Sequence, residues 1–342
     1  MNVARPTRSK RISREGSTYR PPVFIVGSPR SGTSILTWCM AQHPNLLGLE
    51  ESNWRATFAV DLAVAFRRGS ARGERSQFSS MGIERDQFMQ EIGAAINVSI
   101  LRHRHAFEDR RLRLANPDSP ENHAAFKISR DRSDLKSRWV NGTPEYSRGI
   151  GGLRKLFPAA RFIHLVRDCD LVAPSMLHFD RVAGKRLVET EEQAYQYWLV
   201  CVRACVTAET AFGPEIGCRI FLEDLIRKPK ESIRRILSFI GEPFAATCLE
   251  PLTKRINSSN VAAEEAQRSP AAHLPVIEAR ELWKTLRENP PPEAPQRTAA
   301  GLIEEEFELR VDYAHDVDAE YAKKCKAHEA LQLEFDERSE WA

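Results

Sequence analysis

No stretch of this 342-residue chain approaches the eighteen or so apolar residues that a membrane-spanning helix needs; the longest runs, around Val23–Gly27 and Trp198–Val202, are far shorter. A bilayer span is therefore excluded. Cysteine is also sparse: seven residues, an odd number at irregular spacing, form no disulfide framework in a chain this long and point to a reducing compartment, the cytoplasm. Cys201 and Cys205 stand four apart in an apolar stripe, but no second His/Cys pair lies nearby, so packing rather than metal binding is expected and no metal is assigned. The N-terminal segment lacks the apolar core of a secretory signal, since Ile12 alone interrupts a polar run from Thr7, and residues 1–20 read as a disordered basic arm.

What is present is an ordinary globular composition, 42% hydrophobic and 28% charged, enough for a large α/β domain. The net charge of +3 is an average over unlike parts: residues 1–20 carry +5, residues 301–342 carry −8, and the body between them +6. A basic body suits an anionic ligand, with no nucleic-acid partner expected.

Three short apolar runs, Val23–Val26, Arg161–Val166 and Cys218–Leu222, read as buried strands. Between them lie helical patterns over Thr33–Gln42, Asp86–His103, Glu145–Phe157, Glu191–Ala211 and Pro229–Ile240. That alternation predicts a three-layer α/β fold, P-loop-like, with a central parallel sheet and helices on both faces, over residues 21–289. Pro290, Pro291, Pro292 and Pro295 make a stiff connector. Beyond it Leu309, Tyr313, Val317 and Tyr321 recur every four residues in an acidic helix expected to pack on the body or on a second copy in a homodimer.

The most informative segment is Gly27-Ser28-Pro29-Arg30-Ser31-Gly32-Thr33-Ser34, directly after the first strand. Glycines permit a tight turn, consecutive backbone N–H groups face into it, and a helix N-terminus at Thr33 adds positive potential, which together cradle a phosphate. The Gly27-x4-Gly32 spacing is that of a Walker A loop, but Thr33 stands where a nucleotide triphosphatase has lysine, and the loop's cation is Arg30. A second anion site is expected where the strand Arg161–Val166 delivers Arg167 to its carboxyl end, with Ser175 eight residues on, in a helix that Asp168 or Asp170 caps. One ligand with two anionic groups, such as a nucleotide phosphorylated at both 5′ and 3′ positions, satisfies both.

These residues resemble the sulfotransferase family, whose donor is 3′-phosphoadenosine 5′-phosphosulfate (PAPS), leaving 3′-phosphoadenosine 5′-phosphate (PAP). Gly27–Ser34 is similar to its 5′-phosphosulfate loop, in the Pro-Arg-Ser-Gly-Thr form of bacterial and tyrosylprotein-sulfotransferase-like members, and Arg167 with Ser175 to its 3′-phosphate motif. Phe221–Pro229 and Ile236–Gly241 resemble its third landmark, a Glu-Asp-Leu turn and a helix ending in glycine. By that resemblance Arg30, Ser31, Gly32, Thr33 and Ser34 hold the 5′-phosphosulfate, Arg167 and Ser175 the 3′-phosphate, and Glu51 of the Glu50-Glu51 pair is the base that takes a proton from an acceptor hydroxyl. His43, before Pro44, reads as a capping residue rather than a base.

There are departures from the family pattern. Gly142 occupies the place of the lysine in the family's Lys-Thr-Pro, a charge that Arg30 or Lys127 would have to supply, and Leu222 replaces a tyrosine. Arg255–Ser259 is a candidate closing loop. The competing readings are a P-loop nucleotide kinase, which the missing lysine disfavours, and a catalytically inactive nucleotide-binding interaction protein. The acceptor (glycan, peptide tyrosine, lipid or small molecule) is not legible; Trp54, Phe58, Phe66, His178, Phe179 and Arg181 mark the segments expected to surround it.

Overall fold

Val23–Gly27 forms strand β1, and all five of its residues are buried, as a strand covered on both faces requires. In the computed structural model, which describes residues 19–114, 134–179, 184–253 and 273–339, four more strands join it. These are β2 (Leu46–Leu49), β3 (Arg138–Asn141), β4 (Arg161–Val166) and β5 (Gly217–Phe221). All pairings are parallel, in the order β2-β3-β1-β4-β5. Every strand therefore ends at one edge, where the following loops gather.

The helices, in chain order, are α1 (Thr33–Ala41), α2 (Trp54–Gly69), α3 (Gln77–Ser80), α4 (Arg85–Arg102), α5 (Arg104–Leu114) and α6 (Ile150–Leu156). There follow α7 (Cys169–Leu177), α8 (Glu191–Phe212), α9 (Leu222–Arg227), α10 (Pro229–Ile240), α11 (Leu274–Glu288) and α12 (Arg297–Ser339). Side chains alternate across the sheet: Val23 and Ile25 pack with α1, α9 and α10, while Phe24 and Val26 pack with α2, α4, α6, part of α8 and the start of α12. A third cluster joins Val166 to α7, α8 and α11 around the fully buried Trp198. The three-layer α/β arrangement expected from the sequence is thus present.

Two strands were not legible. β2 and β3 are only four residues each, and both are wholly buried. The helix expected over Glu145–Phe157 is a 3-10 turn, Pro144–Arg148, followed by α6; Gly149 between them packs so closely on α2 that a Cβ there would lie 2.7 Å from the Ala56 Cβ. Arg20, at the end of the basic arm, is fastened by its guanidinium to Glu242 at 2.6 Å; residues 1–18 lie outside the described residues.

The expectation for α12 needs correction. Its body-facing row is Ala299, Ile303, Phe307 and Val311, all buried, whereas Leu309, Tyr313, Val317 and Tyr321 face solvent. The helix is held laterally by Arg67–Asp312 (2.7 Å), Arg68–Asp318 (2.6 Å) and Arg85–Glu308 (2.6 Å), so its acidic side lies along the basic end of α2 and the start of α4.

Inside the molecule Glu209 of α8 accepts from His164 Nδ1 of β4 at 2.7 Å and from Arg219 of β5, with all three side chains almost fully buried. Burial alone would raise the Glu209 carboxyl; His164 and Arg219 outweigh it and hold the carboxyl below its ordinary value. Six of the seven cysteines are buried, among them Cys201 and Cys205 in the apolar packing of α8. No helix among the described residues is long and apolar enough to cross a membrane.

Candidate active site

The loop from β1 to α1 is built by its special backbone positions. Gly27, Arg30 and Gly32 all have positive φ, at 154°, 67° and 92°. A side chain at Gly27 is impossible, since its Cβ would stand 2.3 Å from the Leu165 carbonyl oxygen of the neighbouring strand. Arg30 is a non-glycine residue in the left-handed region, a cost that a functional turn retains when the surrounding structure enforces it. The turn closes on a Ser31 N–H to Ser28 O bond of 3.2 Å and leads into α1, whose first-turn N–H groups point out of the helix end. Ser31 is fully buried, and its Oγ has no hydrogen-bond partner. That hydroxyl is the observation that fits an oxyanion ligand: it lies within the loop and needs an acceptor.

The two anion sites inferred from sequence form one cluster. Arg30 Nε donates to Ser175 Oγ at 3.0 Å, and Arg167 Nη1 donates to the Arg30 carbonyl at 2.9 Å. The Arg30 guanidinium also lies 5.2 Å from the centre of the Phe179 ring. Burial and the like charge of Arg167 push the Arg30 guanidinium below its ordinary value, with Glu51 opposing; burial does the same to Arg167, opposed by Glu223 and Asp168. Two crowded guanidinia, each destabilised as cations, are a strong attractor for an anion.

Glu51 belongs to the same site. Ser34 Oγ donates to Glu51 Oε1 at 2.5 Å, linking the phosphate-type loop to the glutamate loop after β2. Crowding by the surrounding protein, although the residue keeps an exposed surface, raises the Glu51 carboxyl above its ordinary value; the Ser34 bond lowers it, Glu145 raises it and Arg30 lowers it. Its neighbour Glu50 contributes its backbone, whose carbonyl accepts from Asn141 Nδ2 at 2.6 Å.

Sequence reasoning missed the frame around these groups. Ser52 N–H donates to Thr143 Oγ1 at 2.8 Å, the Tyr146 hydroxyl donates to Ser52 O at 2.5 Å, and buried Arg55 reaches the Tyr146 oxygen at 3.3 Å. Asn141, Thr143 and Tyr146 thus lace the loop after β3 to the loop carrying Glu51. Glu223, in the Glu-Asp-Leu turn, accepts from the Asp168 N–H at 3.0 Å and so steadies the end of β4 beside Arg167. Asp168 caps α7 as expected, accepting from Asp170 N at 2.9 Å. His43 is buried and structural: its Nδ1 accepts from Asn45 N at 3.1 Å, and its Nε2 lies 2.9 Å from Pro243 O.

Gly142 has a packing reason. A Cβ there would lie 1.9 Å from Thr37 Oγ1 and 3.0 Å from Thr33 O, so the end of β3 touches the first turns of α1 with no room for a side chain. Lys127, Arg181 and Arg255–Ser259 lie outside the described residues. A cavity of about 160 Å³ lies apart from this chemistry, between α2, α6, α8 and α12, and none of Arg30, Glu51, Arg167 or Ser175 lines it. Asp168, Cys169 and Asp170 form a compact acidic group, but Asp168 caps the helix and Asp170 is engaged by Tyr195 (2.7 Å) and Arg280 (3.0 Å).

Residues 21–246, a range holding Arg30, Glu51, Arg167, Ser175 and Glu223, match the family model described as "Sulfotransferase family". The chain belongs to the sulfotransferase family. Among its relatives, protein-tyrosine sulfotransferase A of Caenorhabditis elegans is 22% identical over 244 residues, and protein-tyrosine sulfotransferase 2 of Gallus gallus is 24% identical over 254 residues. Each alignment takes in 70% of this sulfotransferase and 56% of the relative, so the chain spans little more than half the length of either. The sulfotransferase domain of the Synechococcus PCC 7002 olefin synthase is a similar solved structure, 18% identical with a TM-score of 0.46, covering 78% of this chain and 95% of that one. Membership of the family supports sulfuryl transfer in general.

Proposed function

We propose that this sulfotransferase takes its sulfuryl group from PAPS and passes it to an acceptor hydroxyl, with Glu51 as the base. The observation that carries the reading is the continuous set Ser175–Arg30–Arg167 and Ser34–Glu51 on one sheet edge, which joins an anion cradle directly to a carboxylate of raised proton affinity. PAPS, when bound, supplies the transferring group, with Ser31, Gly32, Thr33, Ser34 and Arg30 around its 5′ end and Arg167 and Ser175 around its 3′-phosphate.

The residues of the chain perform the rest. Glu51 receives the acceptor's proton on a carboxylate oxygen; a placed base of this kind contributes typically about 10²–10⁴-fold. Ser34, hydrogen-bonded to Glu51, fixes the carboxylate relative to the loop. Arg30 and the N–H groups at the start of α1 face the charge that develops on the departing side, each good donor being worth roughly 3 kcal/mol. With Gly142 closed to any side chain, the positive charge within the described site comes from Arg30 and Arg167. The names of the relatives make a peptide tyrosine the first acceptor to test, ahead of glycan, lipid and small-molecule hydroxyls.

PAP at 100 times its dissociation constant is expected to stabilise the protein by about 2.7 kcal/mol, a rise in melting temperature of several degrees. Differential scanning fluorimetry reads this; a shift with ATP and none with PAP refutes the donor assignment. Glu51→Gln is expected to keep the PAP shift and lose sulfate transfer, measured with radiolabelled donor, by about 10²-fold or more. An active Glu51→Gln beside an inactive Glu50→Gln would move the base by one residue.

A further inference from the structure

The Glu-Asp-Leu turn at the start of α9 touches three parts of the molecule at once. Leu222 packs on the phosphate-type loop, where a Cβ on Gly32 would come within 3.0 Å of the Leu222 Cδ1. Asp224 turns the other way and accepts from Arg287 of α11 at 2.8 Å and from Arg227 at 3.1 Å. Glu223, held between these two anchors, accepts through Oε1 from the Asp168 N–H at 3.0 Å, on the residue directly after Arg167.

That hydrogen bond needs only an acceptor, and the side-chain carbonyl of a glutamine would accept it as well. The second carboxylate oxygen, Oε2, is buried with no hydrogen-bond partner among the described residues. What a glutamate adds over a glutamine here is therefore charge, and the charge acts on Arg167. Burial pushes the Arg167 guanidinium below its ordinary value, and Glu223, followed by Asp168, opposes that. Asp168 has a second task, capping α7 and meeting the positive end of the helix dipole. A carboxylate that is costly to bury, kept beside the cation that grips an anion, works against that grip.

We propose that Glu223 is a counter-charge to Arg167, one that balances the guanidinium while the site is empty and loosens its hold on the nucleotide once the site is filled. With no nucleotide bound, the carboxylate stands in for the absent anion. When a phosphate group meets Arg167, two negative charges share one guanidinium, and the repulsion between them is felt only in the complex. The spent product is therefore released faster than the two arginines alone would allow, at a step that limits turnover in many enzymes. Glu223 acts through Arg167 and touches no reacting atom. The inference rests on the reading that Arg167 holds the 3′-phosphate of PAPS and of PAP.

Isothermal titration calorimetry of PAP at pH 8 is expected to show Glu223→Gln binding about 3- to 30-fold more tightly than the wild type, the effect of one unit charge removed from several ångströms away in a partly buried site. Stopped-flow displacement of bound PAP is expected to show the gain as slower release. Without nucleotide, Glu223→Gln melts below the wild type because Arg167 has lost its counter-charge, whereas the same concentration of PAP raises its melting temperature by more. A purely structural role would lower both states alike. Glu223→Ala also loses the acceptor for the Asp168 N–H and is expected to bind PAP less tightly than Glu223→Gln. Unchanged or weaker PAP binding in Glu223→Gln, beside normal binding in the wild type, overturns the proposal and leaves the donor reading in place. Binding of PAP to neither protein overturns the donor reading and this inference with it.

Discussion

At Glu51 four local effects meet: crowding by its neighbours and the like charge of Glu145 favour the protonated form, and the Ser34 hydrogen bond and Arg30 favour the carboxylate. The first prevails, so the group holds its proton to higher pH than an ordinary glutamate. A base works only when deprotonated. The rate at saturating donor should therefore rise with pH through an ionisation above the ordinary glutamate value. Glu145→Gln removes a negative neighbour, stabilises the Glu51 carboxylate and should move that acidic limb to lower pH. A profile of kcat/KM against pH in both proteins checks the sign; a limb that moves upward in Glu145→Gln contradicts the arrangement. Arg30→Ala acts in the opposite sense on the same limb, because it removes a cation, and it also weakens PAP binding, so the two variants separate the electrostatics of the base from the holding of the donor.

At the scale of elements, what could be read in advance was what is encoded locally. The loop Gly27–Ser34 spans eight contiguous residues whose turn geometry depends on their own glycines, and Arg167 with Ser175 sit on one strand and the helix after it. The rest depends on distant partners. β2 and β3 are short, one interrupted by Gly48 and the other opened by Arg138, and neither residue type favours a strand. Gly48 is needed because its Cβ would lie 2.5 Å from the Ala41 Cβ, and Arg138 is tolerated because Nη1 donates to Ile240 O at 2.6 Å. Neither partner is visible from the strand itself. The frame of Asn141, Thr143 and Tyr146 was hidden for the same reason: their hydrogen bonds cross about ninety residues to Glu50 and Ser52. Gly142 shows how a contact between elements overrides a family pattern. Gly142→Lys should cost about 1–3 kcal/mol by overpacking β3 against α1, roughly 2–9 °C in melting temperature, without raising turnover. Thr37→Ala in the same chain should recover part of that loss. If the single Gly142→Lys variant melts like the wild type and turns over faster, the glycine is an electrostatic deficit and not a packing requirement.

For the whole molecule, the charge split along the chain turns into a question of what holds α12 to the body. The sequence carries two rows at four-residue spacing, Ala299–Ile303–Phe307–Val311 and Leu309–Tyr313–Val317–Tyr321, and periodicity alone cannot choose between them. The fold places the first row against Gly151, Gly152 and the aromatic cluster under the sheet, where a Cβ on Gly151 would come within 2.9 Å of Ile303. The small residues of α6 admit that row, so apolar burial and not charge decides how the helix docks. The magnitudes agree with this. Phe307→Ala removes a side chain that is 4% exposed and should cost about 3 kcal/mol or more, whereas the pairs of Arg67 and Arg68 with the helix lie at the surface, where each contributes about 0–1 kcal/mol. Leu309→Ala, measured in dilute protein, should stay within about 0.5 kcal/mol of the wild type. Raising the salt from 0.1 M to 1 M shortens the screening length from about 10 Å to about 3 Å, and so should weaken the ion pairs while leaving α12 docked. Thermal melts of these variants at both salt concentrations decide the matter: if 1 M salt destabilises the chain more than Phe307→Ala does, the acidic helix is held by its charge and the buried row is secondary.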